Sequence, residues 1–167
     1  MKQKLLLFYE KNFKGTIWPL ILVVVFAVFI FLNLLSITSY RVVDQSMEPT
    51  LRAGQIILVK RNFFRPLPLN EGDLIVYRNS NSYVIKRLFL NENSPIVMDN
   101  GFLFNHSGEA ILLTPFTYQL LSNLTVMPHN QFFFVGDNRA LSRDSRYYGF
   151  VSRQQIVGRV FFIFSPR

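Results

Sequence analysis

Two residues of this sequence, Ser46 and Lys86, have the chemistry of a nucleophile and a base. A lysine that is removed from water loses its proton more easily, and the neutral amine can act as a general base. A serine hydroxyl is a weak nucleophile until a base of this kind removes its proton. The two residues could therefore hydrolyse an acyl bond, provided that the fold brings them together.

Other residue types that commonly carry catalysis are scarce in the chain. It has no cysteine, and its two histidines, His106 and His129, both lie beside turn residues. The lack of cysteine excludes a thiol nucleophile, a disulfide and a thiolate metal site. A lone loop histidine is more often solvated than catalytic, and two histidines are too few for a structural zinc site. With no glycine-rich phosphate loop either, we expect no metal and no cofactor.

The surroundings of Lys86 favour a strand. Apolar residues alternate around it, so that Lys86 shares one face of the strand with Val84 and Leu88. A lysine between two aliphatic side chains is either an edge residue whose amine reaches water or a buried amine. The pattern alone leaves both alternatives open.

Ser46 lies in a turn between two β-like runs. The ring of Pro49, three residues later, fixes φ and keeps the preceding Glu48 extended. Such a turn can hold a hydroxyl in one direction, although most serines in turns only form the turn.

The elements that must position these residues are strands. After residue 38, short runs of β-branched and aromatic residues alternate with turn residues, which is typical of a sheet. The predicted fold class is therefore mainly β, an antiparallel β-sheet catalytic domain preceded by one N-terminal transmembrane helix. The segment 89–130 shows mainly loop and hairpin-turn signals, such as Asn100-Gly101. The predicted strands are 40–43, 55–59, 73–77, 83–89, 131–135 and 156–164.

The N-terminal part predicts a membrane anchor. Residues 17–37 contain no charged side chain, and as a helix they would span roughly 31 Å, about one hydrocarbon core. Four lysines and one glutamate precede them, and such positive flanks stay in the cytoplasm. A cleavable signal peptide would have a shorter apolar region and a following A-x-A site. We expect a cytoplasmic segment 1–16, an anchor 17–37 and an extracytoplasmic domain 38–167.

The basic composition favours membrane lipid over nucleic acid as a partner. The net charge is +8, but after the anchor no block of five like charges occurs. A basic chain with an anchor is suited to anionic lipid surfaces. We therefore expect contact with membrane lipid and none with nucleic acid, and the pattern indicates no oligomeric state.

Four segments, together with the chain's end, resemble the sequence boxes of bacterial type I signal peptidases (leader peptidases). They occur in that family's order, after a membrane anchor. SMEPTL at 46–51 resembles the family's S-M-x-P-T-L box, and GDLIVY at 72–77 resembles its G-D-x-I-V box. YVIKR at 83–87 resembles the lysine box, and GDNRALSRDSRYYGFV at 136–151 resembles the long G-D-N-x-x-x-S-x-D-S-R-x-x-G-x-V box. IVGRVFF at 156–162 resembles the family's end.

The resemblance implies a role for each matching residue. Ser46 would be the nucleophile and Lys86 the general base, a Ser-Lys variant of the catalytic triad of serine proteases. Ser142 would orient the lysine by a hydrogen bond, and Asp144 and Arg146 would form a supporting ion pair. Asp137 and Arg87 would have structural roles nearby. The residues implied to line the shallow substrate pockets are Val42, Met47, Leu51, Val84 and Ile85.

Two departures from the family pattern stand near these boxes. Asp44 occupies the position two before the nucleophile, where the family has Ser or Gly. A carboxylate would repel an oxyanion, so we expect Asp44 to point away, to be protonated or to serve something else. The oxyanion would then depend on the Ser46 backbone N–H, with or without one further donor that the sequence does not identify. In addition, residues 86–92 lack the Gly, Pro and Asp that often follow the family's lysine.

The resulting functional hypothesis is a membrane-bound serine endopeptidase that removes signal peptides from exported precursor proteins by Ser-Lys catalysis. Only eight residues separate residue 37 from Ser46, so the nucleophile must act within about 30 Å of the membrane. The resemblance and the lysines place the chain in a bacterial cytoplasmic membrane. The alternatives are a dedicated peptidase that matures one substrate, such as a pilin, and a non-catalytic anchored β-domain of a secretion or surface assembly.

Overall fold

The computed structural model describes residues 17–31, 36–61 and 68–165, and the chain divides into two units, Met1–Ile37 and Thr38–Arg167. Helix α1 covers residues 17–31, and its side chains are exposed along nearly its whole length. In these described ranges, no helix is both long and apolar enough to cross a membrane. The predicted segment 1–16 and part of the predicted anchor, 32–35, lie outside the described residues.

The described residues contain ten strands and two further α-helices. The strands are β1 (Ile37–Arg41), β2 (Ile56–Arg61), β3 (Leu74–Asn79), β4 (Ser82–Leu90), β5 (Val97–Asp99), β6 (Phe102–Phe104), β7 (Ala110–Leu112), β8 (Gln131–Val135), β9 (Val151–Ser152) and β10 (Ile156–Phe164). The helices are α2 (Pro115–Ser122) and α3 (Ser145–Tyr148), and a 3₁₀ turn covers Arg153–Gln155.

A seven-stranded sheet with the order β1-β2-β10-β3-β4-β8-β9 forms the body of the second unit. From β2 onward its neighbouring strands are antiparallel. The prediction of a mainly β, antiparallel domain is thereby confirmed. The runs predicted at 131–135 and 156–164 coincide with β8 and β10, whereas β1 begins three residues before its predicted start. Ile37, predicted as the last anchor residue, therefore belongs to a strand.

The segment 89–130 has more regular structure than its loop signals indicate. Strands β5, β6 and β7 form a small antiparallel sheet, and α2 follows it. The predicted hairpin turn at Asn100-Gly101 is present, with φ of 49° and 84°, which a tight two-residue hairpin requires. Helix α2 was not predicted, although Thr114 accepts a hydrogen bond as its N-cap and Pro115 opens its first turn.

Strand β4 carries Lys86 through the middle of the large sheet. It pairs with β3 along Ser82–Arg87, where Lys86 lies opposite Ile75. On its other side it pairs with β8 only from Arg87 onward. The front part of β4 therefore has one strand neighbour, and Lys86 lies where the second pairing begins.

Candidate active site

Ser46 and Lys86, 40 residues apart in sequence, meet in the folded unit. The Lys86 Nζ atom is hydrogen-bonded to the Ser46 Oγ atom. Both residues are buried, with 7% of Ser46 and 2% of Lys86 exposed. Of the two alternatives that the sequence left open for Lys86, the structure therefore selects the buried amine.

The Ser46 loop is fixed by apolar packing and by backbone hydrogen bonds. Met47 and Leu51 are fully buried in one apolar cluster, and the Leu51 N–H donates to the Met47 carbonyl at 2.8 Å. The Asn138 N–H donates to the Ser46 carbonyl at 3.0 Å, which ties this loop to the segment after β8. These main-chain contacts fix the backbone that carries the Ser46 side chain.

Lys86 has the electrostatic surroundings of a base. Burial lowers the pKa of its amine below the ordinary value of 10.5, because the ammonium is poorly solvated there. The nearby carboxylates of Asp44, Asp144 and Asp137 oppose this decrease, and the Arg146 guanidinium adds to it. The lowered pKa increases the fraction of the amine that is neutral, with a free lone pair, near neutral pH.

Asp44 binds the nucleophile directly. One of its carboxylate oxygens, Oδ1, accepts hydrogen bonds from the Ser46 N–H at 3.0 Å and from the Ser46 O–H at 2.7 Å. Of the three expectations for Asp44, pointing away is therefore wrong, and the carboxylate serves the serine itself. The Ser46 N–H, on which the oxyanion was expected to depend, is already engaged in this structure.

The hydrogen bond predicted from Ser142 to Lys86 is not formed. The Ser142 side chain is 2% exposed, and its Oγ has no hydrogen-bond partner among the described residues. It packs closely against Gly136, where an alanine Cβ would lie 2.1 Å from the Ser142 Oγ and 2.6 Å from the Ser46 carbonyl oxygen. Only glycine leaves room for both neighbours at position 136.

Asp144 and Arg146 form a buried, two-point ion pair beside the site. The Arg146 Nε and Nη2 atoms donate to the two Asp144 oxygens at 2.8 and 2.9 Å. Asp144 is fully buried, caps α3 and also accepts from the Gly136 N–H at 2.9 Å. Arg146 in turn donates to the Ser142 carbonyl at 3.2 Å. The pair therefore connects the Ser142 segment, α3 and the end of β8.

A second ion pair joins the residue after Lys86 to the same segment. Arg87 donates to Asp137 through Nε at 2.8 Å and through Nη2 at 2.6 Å, and its Nη1 donates to the Gly72 carbonyl at 2.7 Å. Burial acts to raise the pKa of Asp137, but hydrogen bonds from Arg87 and Thr50 outweigh it and hold the pKa below its ordinary value. Arg87 thus fixes β4 against the Ser46 and Gly136 loops.

An open cavity of about 430 Å³ lies beside the serine and the lysine. Of the five residues predicted to line substrate pockets, Val84 is in its wall. Val42, Met47 and Leu51 are at most 3% exposed and belong to one buried apolar cluster, so their predicted role in substrate pockets stays a prediction. Ile85 is half-buried and packs against the same core.

Besides Val84, the sequence points to Asp44, Ser46 and Lys86 of this wall. It assigns no role to the other five wall residues, because a box indicates the family without showing which of its side chains face the cavity. These five are Gln45, Asn79, Leu141, Arg143 and Tyr148.

The two histidines lie in other surroundings. His106 and His129 are largely exposed, and each contacts a glutamate at 3.0 Å, Glu71 and Glu92 respectively. Neither is part of the cavity wall beside Ser46.

Comparison with known proteins identifies related sequences. Residues 15–100 and 98–165 match the family described as "Signal peptidase, peptidase S26". The chain is 30% identical to "Signal peptidase I" of Bacillus caldolyticus over 94% of either chain. It is 26% identical to "Signal peptidase IB" of Staphylococcus aureus, over 89% of this chain and 88% of that protein. A crystal structure of a signal peptidase I from Enterococcus faecalis V583 aligns with a TM-score of 0.41 and 20% identity, covering 57% of this chain and 98% of that one.

Proposed function

Because this chain belongs to the signal peptidase family, peptidase S26, we propose that it cuts signal peptides from exported proteins with Ser46 as the nucleophile and Lys86 as the base. Membership makes the chain a serine peptidase, a hydrolase of peptide bonds. The observation that carries the assignment of these two residues is the buried hydrogen bond between Lys86 Nζ and Ser46 Oγ. No other pair in the cavity wall combines a nucleophilic hydroxyl with an amine of lowered pKa.

The proposed reaction begins with Lys86 in its neutral form. Its lone pair takes the Ser46 hydroxyl proton while the Ser46 oxygen forms a bond to the scissile carbonyl carbon, and the carbonyl π electrons move to oxygen. The resulting ammonium then gives its proton to the leaving amine as the peptide bond breaks. Water, deprotonated by the same lysine, hydrolyses the acyl-enzyme and restores the serine. Every proton in this cycle passes through Lys86.

Asp144, Arg146 and Ser142 are proposed as supporting residues. The ion pair holds the Ser142 segment by main-chain contacts, and that segment packs against Gly136 beside the Ser46 loop. Ser142 is buried and its hydroxyl is unpaired among the described residues, which leaves it available for the proposed hydrogen bond to Lys86 during the reaction.

The free side of β4 is suited to bind an extended substrate. Residues ahead of Arg87 pair with β3 on one side and lack a pairing with β8 on the other. A peptide added there as a strand gains main-chain hydrogen bonds, while side-chain pockets give specificity. We propose that the signal peptide binds along this edge next to Lys86, with Val84 and Ile85 near its side chains.

Membrane attachment through residues 17–37 remains part of the proposal. Helix α1 is apolar on all sides, and three of its aromatic side chains, Trp18, Phe26 and Phe29, are 62% or more exposed. A helix that is apolar all round is normally covered by protein or lipid. From the lysines before residue 17 we propose that the N-terminus lies in the bacterial cytoplasm and residues 38–167 lie outside the cytoplasmic membrane.

The topology predicts a simple accessibility result. Protease added to intact spheroplasts is expected to digest the unit after residue 38, whereas the same protease should spare a cytoplasmic marker. If that unit were fully protected while an external control protein was digested, the proposed orientation would be wrong.

The substrate class is tested with a panel of precursors. Detergent-solubilised full chain should cleave several unrelated precursors at their signal-peptide junctions, as the general enzyme would. Cleavage of a pilin precursor alone would favour the dedicated alternative. Binding without cleavage of any precursor, in a preparation that is folded, would favour the non-catalytic β-domain.

A further inference from the structure

We propose that the Asp44 carboxylate is a brake on the nucleophile, which holds the Ser46 O–H and N–H in an unreactive arrangement until bound substrate displaces it. This inference rests on the Ser46–Lys86 function proposed above. It concerns the resting state of that site, and it assigns a role to a residue that the sequence boxes did not explain.

The geometry places both Ser46 donors on one oxygen. Asp44 Oδ1 lies 3.0 Å from the Ser46 nitrogen and 2.7 Å from its Oγ. A hydroxyl and a backbone amide have one proton each, so both are committed to the carboxylate. The Ser46 oxygen can then only accept a hydrogen bond from Lys86, whose Nζ is its other neighbour. In this arrangement the lysine lone pair is not receiving the serine proton, and the serine is not activated.

The same contact competes with substrate. A scissile carbonyl above Ser46 needs the serine N–H as the oxygen becomes negative, because that donor stabilises the oxyanion. Asp44 occupies this donor, and its charge next to a developing oxyanion would be repulsive. The carboxylate and the substrate carbonyl therefore exclude each other from the Ser46 N–H.

The open cavity gives the Asp44 carboxylate room to move away from Ser46. Asp44 is exposed and forms part of the open cavity wall, whereas Ser46 and Lys86 are buried behind it. Rotation of the Asp44 side chain moves its charge into water, where ionised groups are well solvated. Once it has left, the serine proton can pass to Lys86, the Ser46 oxygen can bond to the carbonyl carbon, and the new oxyanion can accept the freed N–H.

Asp44 also affects the lysine through charge. The charged groups that influence Lys86 are Asp44, Asp144 and Asp137, which raise its pKa, and Arg146, which lowers it. A displaced or removed Asp44 therefore leaves the amine easier to deprotonate. This effect acts in the same direction as release of the serine donors.

Two other roles for Asp44 make different predictions. The contact could be an Asx turn that shapes the Ser46 loop, or Asp44 could itself take the serine proton. An Asx turn needs an acceptor oxygen but no charge, so asparagine should replace aspartate without loss. A general base needs the carboxylate, so asparagine and alanine should both lose about 100-fold or more in kcat.

The experiment compares Asp44→Asn and Asp44→Ala with the parent, as full chains in detergent, by kcat on a signal-peptide precursor. The brake predicts that kcat increases from Asp to Asn to Ala, with a gain of about tenfold at Ala. A kcat for Asn equal to that of Asp, with a loss at Ala, would overturn the brake in favour of the turn. Loss in both variants would overturn it in favour of the base. If the alanine variant fails to fold, the asparagine variant decides alone, because only the brake predicts a gain there.

Controls separate this inference from the proposed function. Glu48→Gln removes an equal charge from the same loop, and Glu48 is not among the groups acting on Lys86. We expect its kcat and pH profile to equal those of the parent, whereas Asp44→Ala should move the acid limb of kcat to lower pH. An unmoved acid limb in Asp44→Ala would contradict the electrostatic part. Combined with Lys86→Ala, every Asp44 variant should be inactive; activity there would refute the Ser-Lys function itself.

Discussion

Lys86→Arg is expected to reduce cleavage of a precursor by about 10⁴-fold or more, although it keeps the positive charge. The guanidinium stays protonated at every accessible pH, so it has no lone pair for the Ser46 proton. Lys86→Ala and Ser46→Ala should be equally inactive, and the double variant no worse, because residues that act as one unit are not additive. The measurement is kcat/KM in detergent, with unfolding temperatures to confirm folding.

The histidines provide the matched controls for this prediction. His106→Ala and His129→Ala should retain near-normal cleavage, because both side chains are largely exposed and neither lies in the cavity wall. A base that is neutral only above its pKa makes the rate rise with pH. Since burial lowers the Lys86 pKa, the midpoint of that rise should lie below the ordinary value of 10.5. Near-normal cleavage by Lys86→Arg together with loss in a histidine variant would replace the Ser-Lys mechanism with a Ser-His one.

Arg146→Met is expected to destabilise the folded protein by about 3–5 kcal/mol, which corresponds to roughly 10 °C in Tm. The reason is that Asp144, which is fully buried, would lose its guanidinium partner and become an uncompensated charge. The carboxylate would keep only backbone donors, chiefly the Gly136 N–H at 2.9 Å. Thermal unfolding of the detergent-solubilised chain, followed by circular dichroism, measures the shift.

Arg159→Met serves as the comparison for the stability prediction. Arg159 also pairs with an aspartate, Asp73, at 3.3 Å, but both side chains are partly exposed. A pair in contact with water contributes about 1 kcal/mol or less, so Tm should fall by only a few degrees. Equal losses in the two variants would show that burial of the Asp144 pair does not determine its contribution.

The sequence by itself predicted the main strands of the large sheet and the family to which the chain belongs. Alternating apolar residues set the strands at 131–135 and 156–164, because side chains on a strand alternate between its two faces. The boxes around Ser46, Lys86 and 136–151 were sufficient to indicate the family, which the comparisons confirm. Local signals of this kind are legible because they depend on residues close together in the chain.

Only the tertiary structure decided what surrounds Ser46 and Lys86. The pattern around Lys86 leaves both an edge position and a buried position open, and only the folded structure shows that Lys86 is 2% exposed. The structure also shows that Met47 and Leu51 are core residues and that Ser142 has no hydrogen-bond partner among the described residues. It further shows that the Asp44 carboxylate accepts a hydrogen bond from the Ser46 hydroxyl. Desolvation and competition for a single proton depend on differences of a few tenths of an ångström in the distances between side chains. Residue spacing along the chain does not specify these distances.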